Sequence, residues 1–532
     1  MTNQNKPNGK NGNGRMLSDQ SSMNSYIKSI CNIMRRDKTK GAMQYIPELT
    51  WMMFLRIFDE KEQEEEMQCE AVGKSFIASL KYPYRWRDWG SPEGKKRKEL
   101  TGEGSSLGDF LNFVNKQITP EEIKQKKEMG LIQYMKSFEK ASNATIKQKI
   151  ISQVFRKIEK TQLASERNLL DVLDRIHHLT SENIDETHQF PLSQIYEGLL
   201  LKMGEKGNDG GQFFTPREII RAMIRAIAPR LKLHGRDATF YDPCCGTGGF
   251  LAETFVYLMN QEPTATEIDY LKHNALWGID DSDDAFPIGL ANLALHGIDF
   301  PHIGLKNTLS GRPTYTELFE GAPSQFDYIL TNPPFGGKEV EDAKTSFAYK
   351  TGSTQVLFLQ HIIDKLKDGG TCAMVIDEGV LFRNNETAFV QTKRKLLEEC
   401  NLWCIISLPQ NVFVNAGAGV KTNLLFFTKG KSTEKVWYYD MSNIKVRKKL
   451  PFTLDKFDDF LKRLSSDKEK DKISDNSWFI DIETIKNKNY DLKAVNPNIK
   501  EKIIPRPEEL IKIIEESQVK INESLKRLKE IK

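Results

Sequence analysis

Four short stretches, far apart in the chain, carry residue types that could do chemistry together. One is Asn332-Pro-Pro-Phe335, which ends a run of aromatic and β-branched residues and is followed by two glycines. Neither proline can donate a backbone hydrogen bond, and together they hold the chain in an extended turn. A buried strand therefore stops here and presents an amide side chain, a carbonyl and an aromatic ring at its carboxyl end, where open α/β sheets bind ligands. A Pro-Pro turn is structural at least as often as catalytic, so its meaning depends on what the rest of the chain brings beside it.

The second stretch, Asp242-Pro-Cys-Cys-Gly-Thr-Gly-Gly249, follows a strand pattern at 238–242. It precedes a helix with Leu251, Phe255, Leu258 and Met259 on one face. Strand, glycine loop and helix form a βα turn of the nucleotide-binding type. The glycines fall at 246, 248 and 249 and Leu251 follows, which departs from the dinucleotide pattern GxGxxG. A P-loop is also missing here: in the nearest decoy, Gly417-Ala-Gly-Val-Lys-Thr422, Val420 stands where glycine is required. A ligand carrying adenosine without a pyrophosphate fits these departures. The third feature is Asp280, at the end of a second strand pattern, where a carboxylate can take both ribose hydroxyls. Asp281, Ser282, Asp283 and Asp284 then open the next helix. The fourth is Gln212-Phe-Phe-Thr-Pro-Arg217, after a glycine-rich loop at 204–211. Thr215, Pro216 and Glu218 make a capping box with proline at the first helical position, and Phe214 with Ile219 makes a hydrophobic staple. Helix initiation alone would account for that stretch.

The elements that must position these residues follow from periodicity. Residues 1–20 are polar with no apolar period and are expected to be a disordered tail. Residues 21–185 read as amphipathic helices, with Trp51, Met52, Met53 and Phe54 as core. The basic run Lys95-Lys-Arg-Lys98 suits either a solvated face or DNA phosphates. From 186 to 480, strand patterns at 303–307, 326–331, 371–376, 402–408 and 422–428 alternate with helices. One buried helix carries Val356, Leu359, Ile362, Ile363 and Leu366 and is expected to close at Gly369-Gly370. The alternation predicts a doubly wound, mostly parallel sheet, with a β extension at 436–439. Residues 481–532 end in a charged helix from about Pro507, with Ile511, Ile514, Ile521, Leu525 and Leu528 on a and d positions and Gln518 as a polar interruption. A coiled-coil contact with another subunit is the expectation for it.

Composition narrows the class. With 532 residues, 39% of them hydrophobic, and a net charge of only +4, the chain is no polycation, so contact with nucleic acid must come from local patches or a partner. The seven cysteines show no metal-ligand spacing, no apolar run reaches membrane-spanning length and the N-terminus is no signal peptide. Reduced thiols in a soluble, cytoplasmic protein are expected, without a metal and without a membrane partner.

Taken in chain order, with the 212–217 stretch before the glycine loop and the 332–335 stretch after Asp280, the four motifs resemble the amino-methylating DNA methyltransferases of the γ class. The chain is most similar to modification subunits of type I restriction–modification systems, through Gly41-Ala-Met43, Gly379-Val-Leu-Phe-Arg383, Asn489-Tyr-Asp-Leu492, Asn496-Pro-Asn498 and the terminal helix. The resemblance implies a seven-stranded class I methyltransferase sheet and S-adenosylmethionine as cofactor. It implies that Gln212, Phe213, Phe214, Thr215, Pro216 and Arg217, with Thr247, Gly248 and Gly249, hold the methionine end, that Asp242 and Gly246 shape the loop, and that Asp280 takes the ribose. Asn307 stands where the family commonly has Asp; an amide can still bond the adenine amine. The resemblance also assigns catalysis to Asn332, Pro333, Pro334 and Phe335 on the 6-amino group of adenine in double-stranded DNA. Phe335 would stack on a flipped base, returning about 1–3 kcal/mol against the cost of flipping. The implied partners are a specificity subunit that chooses the target, a second modification subunit and a restriction subunit with motor and nuclease activity. Methylation of RNA, of a protein glutamine or of a cytosine amine, and a non-catalytic scaffold, are the competing readings.

Overall fold

The computed structural model describes residues 20–37, 42–179, 215–233, 235–310, 317–336, 346–413, 421–447, 450–493, 495–498 and 507–530. The polar stretch before residue 20, the 204–211 loop, Gln212, Phe213, Phe214 and the 417–420 part of the P-loop decoy lie outside them.

Nine strands form one sheet: β1 (Phe240–Asp242), β2 (Leu276–Asp280), β3 (His302–Leu305), β4 (Phe326–Thr331), β5 (Leu366–Asp377), β6 (Cys400–Ser407), β7 (Thr422–Lys429), β8 (Lys435–Asp440) and β9 (Ser477–Asp481). Their order across the sheet is β9-β8-β6-β7-β5-β4-β1-β2-β3. β7 runs antiparallel to both β5 and β6, and β9 antiparallel to β8; the other pairs are parallel. The first seven strands make the expected class I sheet. The β extension lengthens it, because Val436, Trp437, Tyr438 and Tyr439 are all buried, and Trp478 of β9 stacks on Tyr438 at 5.7 Å. β9 has no counterpart among the sequence expectations, and it runs across position 480.

Alternation within the strands explains why helices cover both faces. Tyr241, Trp277, Ile279, Ile329, Cys372 and Met374 pack into one apolar cluster with Val356, Ile362, Phe389 and Leu396. Phe240, Leu276, Tyr328, Leu330, Ala373 and Val375 point the other way, into a cluster with Ile220, Met223, Phe255 and Leu290. Side chains of successive strand residues face opposite sides, so both sides need a cover. The helix carrying Val356 ends at Lys365, ahead of Gly369-Gly370. Those glycines belong instead to a bulge, where the pairing of β4 with β5 jumps from Phe326–Leu366 to Tyr328–Thr371. A Cβ on Gly370 would sit 2.8 Å from the Lys367 carbonyl and 2.9 Å from that of Asp327, so glycine is needed for the close approach.

The helices used below are α1 (Gln20–Arg36), α2 (Ala42–Ala71), α3 (Lys95–Thr101), α4 (Ile146–Val154), α5 (Glu166–His177), α6 (Arg217–Ile227), α7 (Gly249–Met259), α8 (Ala285–Leu295), α9 (Thr354–Lys365) and α10 (Thr387–Glu399), with α11 (Pro507–Glu530) at the C-terminal end. Trp51, Met52, Met53 and Phe54 of α2 are buried, as expected of core residues. The basic run forms the start of α3, and three of its four cations are paired locally. Arg97 is buried and binds the Gly90 carbonyl and Asp174 of α5, Lys96 reaches Glu128, and Lys98 pairs with Glu93. The helical region meets the sheet's covering layer at α8. Lys61 Nζ of α2 donates to the Ala294 carbonyl at 2.5 Å, and beyond α4 Arg156 and Lys157 pair with Asp283 and Asp284. Burial lowers the Lys61 pKa to about 8. Among the described residues no helix is long and apolar enough to cross a membrane.

The centre of the sheet is pinned by Asp327 of β4. Its fully buried carboxylate accepts from the Thr239 amide and hydroxyl, both at 3.0 Å, and pairs with Lys367 of the β5 bulge at 2.8 Å and with Arg236. Burial opposes the charge, but Lys367 and Thr239 outweigh it and hold the pKa below the usual carboxylate value. Asp327→Ala leaves the buried Thr239 amide and hydroxyl unmatched and is expected to destabilise the fold by about 2 kcal/mol, read as a lower urea midpoint at unchanged slope.

Candidate active site

The carboxyl ends of β1, β2 and β4 open into a cleft lined by Thr215, Arg217, Asp242, Cys244, Gly246, Thr247, Gly249, Asp280, Lys306, Asn307, Asn332, Pro334 and Phe358. Most of the expected site residues are therefore brought to one place, although nearly 120 positions separate Thr215 from Asn332.

The glycine loop leaves β1 at Asp242 and enters α7 at Gly249. Gly248 caps α7 with φ +75°, a conformation strained for other residues. A Cβ on Gly249 would lie 2.2 Å from Arg217 Nη1, so glycine there admits the guanidinium, which is only 5% exposed. Buried Asn292 of α8 donates to the Thr247 carbonyl at 2.8 Å and fixes the loop from behind. Gly248 itself faces Leu293 rather than the cleft.

Asp280 at the end of β2 accepts from the Gly246 amide at 2.7 Å and from the Ser282 amide at 2.9 Å. Burial raises its pKa to about 6. Ser282, rather than one of the three aspartates, caps α8: its hydroxyl accepts from the Ala285 amide at 3.1 Å. Asp242 is deeper. Its Oδ1 accepts from Thr331 Oγ1 at 2.7 Å and from the Cys244 amide at 3.2 Å, while Oδ2 is buried without a hydrogen-bond partner among the described residues. Burial, reinforced by the charge of Asp280, raises the Asp242 pKa to about 7, with the Thr331 and Cys244 bonds acting against the shift. Two carboxylates this poorly solvated, one with an open acceptor atom, make a cleft suited to a cation. Asn307, also in the cleft lining, accepts on its amide oxygen from the Leu309 amide at 2.8 Å, closing a local turn.

At Thr215 the structure departs from the expected capping box. Helix α6 is capped by Pro216, with no side-chain bond to its first amides. The Thr215 hydroxyl accepts instead from Asn332 Nδ2 at 3.0 Å. A tertiary partner has displaced the local one. With its nitrogen held in this way, Asn332 leaves Oδ1 buried and without a hydrogen-bond partner among the described residues. The Pro333 carbonyl accepts from Gln355 Nε2 at 3.2 Å. Pro334 lines the cleft, and the Phe335 ring meets Phe413 edge-on at 5.6 Å. Thr331, Gln355 and Phe413 escaped the sequence reading. Thr331 adjoins Asn332 and could have been noticed, but nothing near Gln355 or Phe413 in sequence marks them.

The comparisons with known proteins agree with this geometry. A family model described as N-6 DNA Methylase matches residues 188–503, more than half of the chain, and one described as HsdM N-terminal domain matches residues 23–176. The chain belongs to the N-6 DNA methylases, in their type I modification-subunit branch. It is 32% identical over 521 residues to the type I restriction enzyme EcoEI methylase subunit of Escherichia coli, covering 96% of this chain and 97% of that one. Against the EcoKI methylase subunit of Escherichia coli K12 the identity is 29% over 440 residues, covering 79% and 71%. A solved modification subunit of a putative type I restriction enzyme from Vibrio vulnificus has TM-score 0.71 and 31% identity, covering 90% of this chain and 98% of that one. A chain from a structure of type I R-M complex assembly and conformational transition gives TM-score 0.71 and 30% identity, covering 97% and 99%. As an adenine-specific N-6 DNA methylase, this protein acts on an exocyclic amine, and the readings as RNA methylase, protein methylase, cytosine methylase or scaffold fall away. The same membership makes Thr215 testable. Thr215→Val in the N-6 DNA methylase removes the acceptor for Asn332 Nδ2, an unmade bond costing about 1–1.5 kcal/mol. Methyl transfer should fall about tenfold with only a small drop in the thermal midpoint, and Thr215→Ser should restore both.

Proposed function

We propose that the cleft binds S-adenosylmethionine and that Asn332-Pro-Pro-Phe335 makes the 6-amino group of a flipped adenine reactive toward it. The observation that carries this reading is Asn332 Oδ1, a buried acceptor without a hydrogen-bond partner among the described residues, on an amide whose nitrogen is already held by Thr215. The cleft's residues fit the cofactor's charges. Asp242 Oδ2 is an open acceptor for its ammonium, buried Arg217 suits its carboxylate, Asp280 lies at the ribose position, and Asn307 lies at the adenine end. When bound, S-adenosylmethionine supplies a methyl group on a positively charged sulfur that needs no further activation.

The chain's own work is on the amine. Its lone pair is delocalised into the purine ring, which makes it a poor nucleophile. Asn332 Oδ1 and the Pro333 carbonyl each accept one of its hydrogens and draw the nitrogen toward tetrahedral geometry, which frees the lone pair. The nitrogen–carbon bond forms as the carbon–sulfur bond breaks, with that electron pair leaving on sulfur. The surplus proton departs along the bond to Asn332 Oδ1 and on to solvent. Phe335, beside Phe413, offers an aromatic surface to the base. In this reading residues 21–185 buttress the sheet, 186–480 carry the chemistry and 481–532 reach a partner. Helix α11 leaves Ile511, Ile514, Ile521 and Leu525 exposed along one seam, which suits a helical contact with a specificity subunit. That subunit, a second modification subunit and a restriction subunit complete the proposed assembly on double-stranded DNA.

Asn332→Ala should bind the cofactor with wild-type affinity yet transfer labelled methyl to DNA about 10²–10³-fold more slowly; a wild-type rate would remove Asn332 from the mechanism. Site-specific methylation should require the specificity subunit, and its appearance with this chain alone would refute the division of labour. Cofactor binding should also depend on pH. Asp242 titrates near 7 and Asp280 near 6, both raised, so acidification neutralises the groups facing a cation. Affinity should therefore rise from pH 6 to 8 and then level, with protons released on binding, measured by calorimetry in buffers of different ionisation enthalpy. A flat profile would remove Asp242 from cofactor binding.

A further inference from the structure

Gln355 occupies the second position of α9, where a side chain ordinarily meets solvent, yet it is only 2% exposed. Its carboxamide spans the ends of two neighbouring parallel strands. Nε2 donates to the Pro333 carbonyl, just beyond β4, at 3.2 Å, and Oε1 accepts from the Asp377 amide, at the end of β5, at 2.8 Å. The orientation of the amide follows from its partners: a peptide N–H can only donate and a carbonyl oxygen can only accept. The neighbouring buried glutamine of the same helix, Gln360, makes a similar two-sided bond, but to the amide and carbonyl of Tyr349, a loop residue with no place in the site. Only Gln355 touches the catalytic turn.

A carbonyl oxygen has two lone pairs, and in the mechanism above one of them must meet an amine hydrogen. The other would otherwise be buried and unsatisfied, or free to let the carbonyl rotate away. Prolines fix φ but leave ψ soft, so the direction of the Pro333 carbonyl needs an external hold. Thr215 holds the Asn332 amide from one side of the turn, and Gln355 holds the Pro333 carbonyl from the other.

We infer that Gln355 is a positioning residue for methyl transfer, holding the Pro333 carbonyl in the direction that accepts the second hydrogen of the target amine. This rests on the assignment of Asn332-Pro-Pro-Phe335 as the amine-binding turn. Gln355 does not line the cleft proposed for the cofactor, and both ends of its carboxamide are taken up by backbone groups, so its removal should change kcat and leave cofactor affinity alone.

The test uses the full chain assembled with its specificity subunit, in single-turnover methyl transfer from labelled cofactor. Gln355→Met, which can neither donate nor accept strongly, should lower kcat about tenfold for one lost bond, with KM for DNA and cofactor affinity unchanged. Gln355→Glu keeps the shape but presents an acceptor to an acceptor. Its kcat should be about 100-fold down at pH 8, since a buried charged group raises the cost of the mismatch. It should recover toward wild type as the pH falls, because the protonated carboxyl can again donate to Pro333 while its second oxygen keeps the Asp377 bond. Ratios to wild type at each pH cancel any effect of acid on the cofactor site. Gln355→Met loses two buried bonds and so lowers the thermal midpoint in either case; a merely structural tie would leave kcat at saturation near wild type below that midpoint, whereas a positioning role lowers kcat in the fully folded protein. Wild-type kcat in Gln355→Met, a rise in KM alone, or a Gln355→Glu ratio that ignores pH would overturn the inference. If Gln355→Glu does not fold, Gln355→Met decides by the split between kcat and KM. Asn332→Ala in the same assay separates the two ideas: transfer surviving that change refutes the turn's assignment, while its loss beside normal Gln355 variants refutes only the role of Gln355.

Discussion

The hydrogen bond from Thr331 to Asp242 holds the active cleft together. It joins the last residue of β4 to the last residue of β1, and so joins the turn proposed to bind the amine to the loop beside the proposed cofactor. Both side chains are buried, and that is the source of its strength and its cost: neither group has water to fall back on. The second Asp242 oxygen is left open in consequence. A carboxylate that must stay buried for the fold, with only one oxygen satisfied by the fold, keeps a standing preference for a positive ligand.

The same economy of donors runs through the rest of the cleft. Asp280 is satisfied by two backbone amides, one of them in the glycine loop, so the ends of β1 and β2 are also joined through a carboxylate. Thr215 and Gln355 then constrain the Asn332-Pro333 turn, one at the amide and the other at the carbonyl. The contacts that join the strand ends, Thr331 to Asp242, Gly246 to Asp280, Asn332 to Thr215 and Gln355 to Pro333, cross between elements distant in sequence. The glycines supply the close approaches these contacts need, most clearly at Gly249 against Arg217.

That pattern decides what could be read from the sequence. Asp242, Asp280, the glycine loop and Asn332 were legible because each stands at the end of a strand whose alternation is strong, and because local chemistry limits what such residues do there. The sheet was legible for the same reason, down to the strand at β8. Thr215 was misread as a helix cap, since the partner that captures its hydroxyl lies in a turn far along the chain. Gly369-Gly370 looked like a helix stop and proved to be a bulge, because the demand for glycine comes from the approach of Asp327 on the adjacent strand. Gln355 and Phe413 had no local signal at all. A glutamine near a helix start reads as surface until two strand ends are seen to meet it.

Helix α8 has almost no face of its own left for solvent, with ten of its eleven residues buried: Ala285, Phe286, Pro287, Ile288, Gly289, Leu290, Ala291, Asn292, Leu293 and Leu295. One side supports the glycine loop through Asn292, while the N-terminal helices cover another and grip both ends, with Lys61 at the carboxyl end and Arg156 and Lys157 at the amino end. A helix in that position cannot be shared out between modules. The two segments matched by separate family models thus share a buried surface at α8, and exchanging the front half between relatives would require that surface to be exchanged with it.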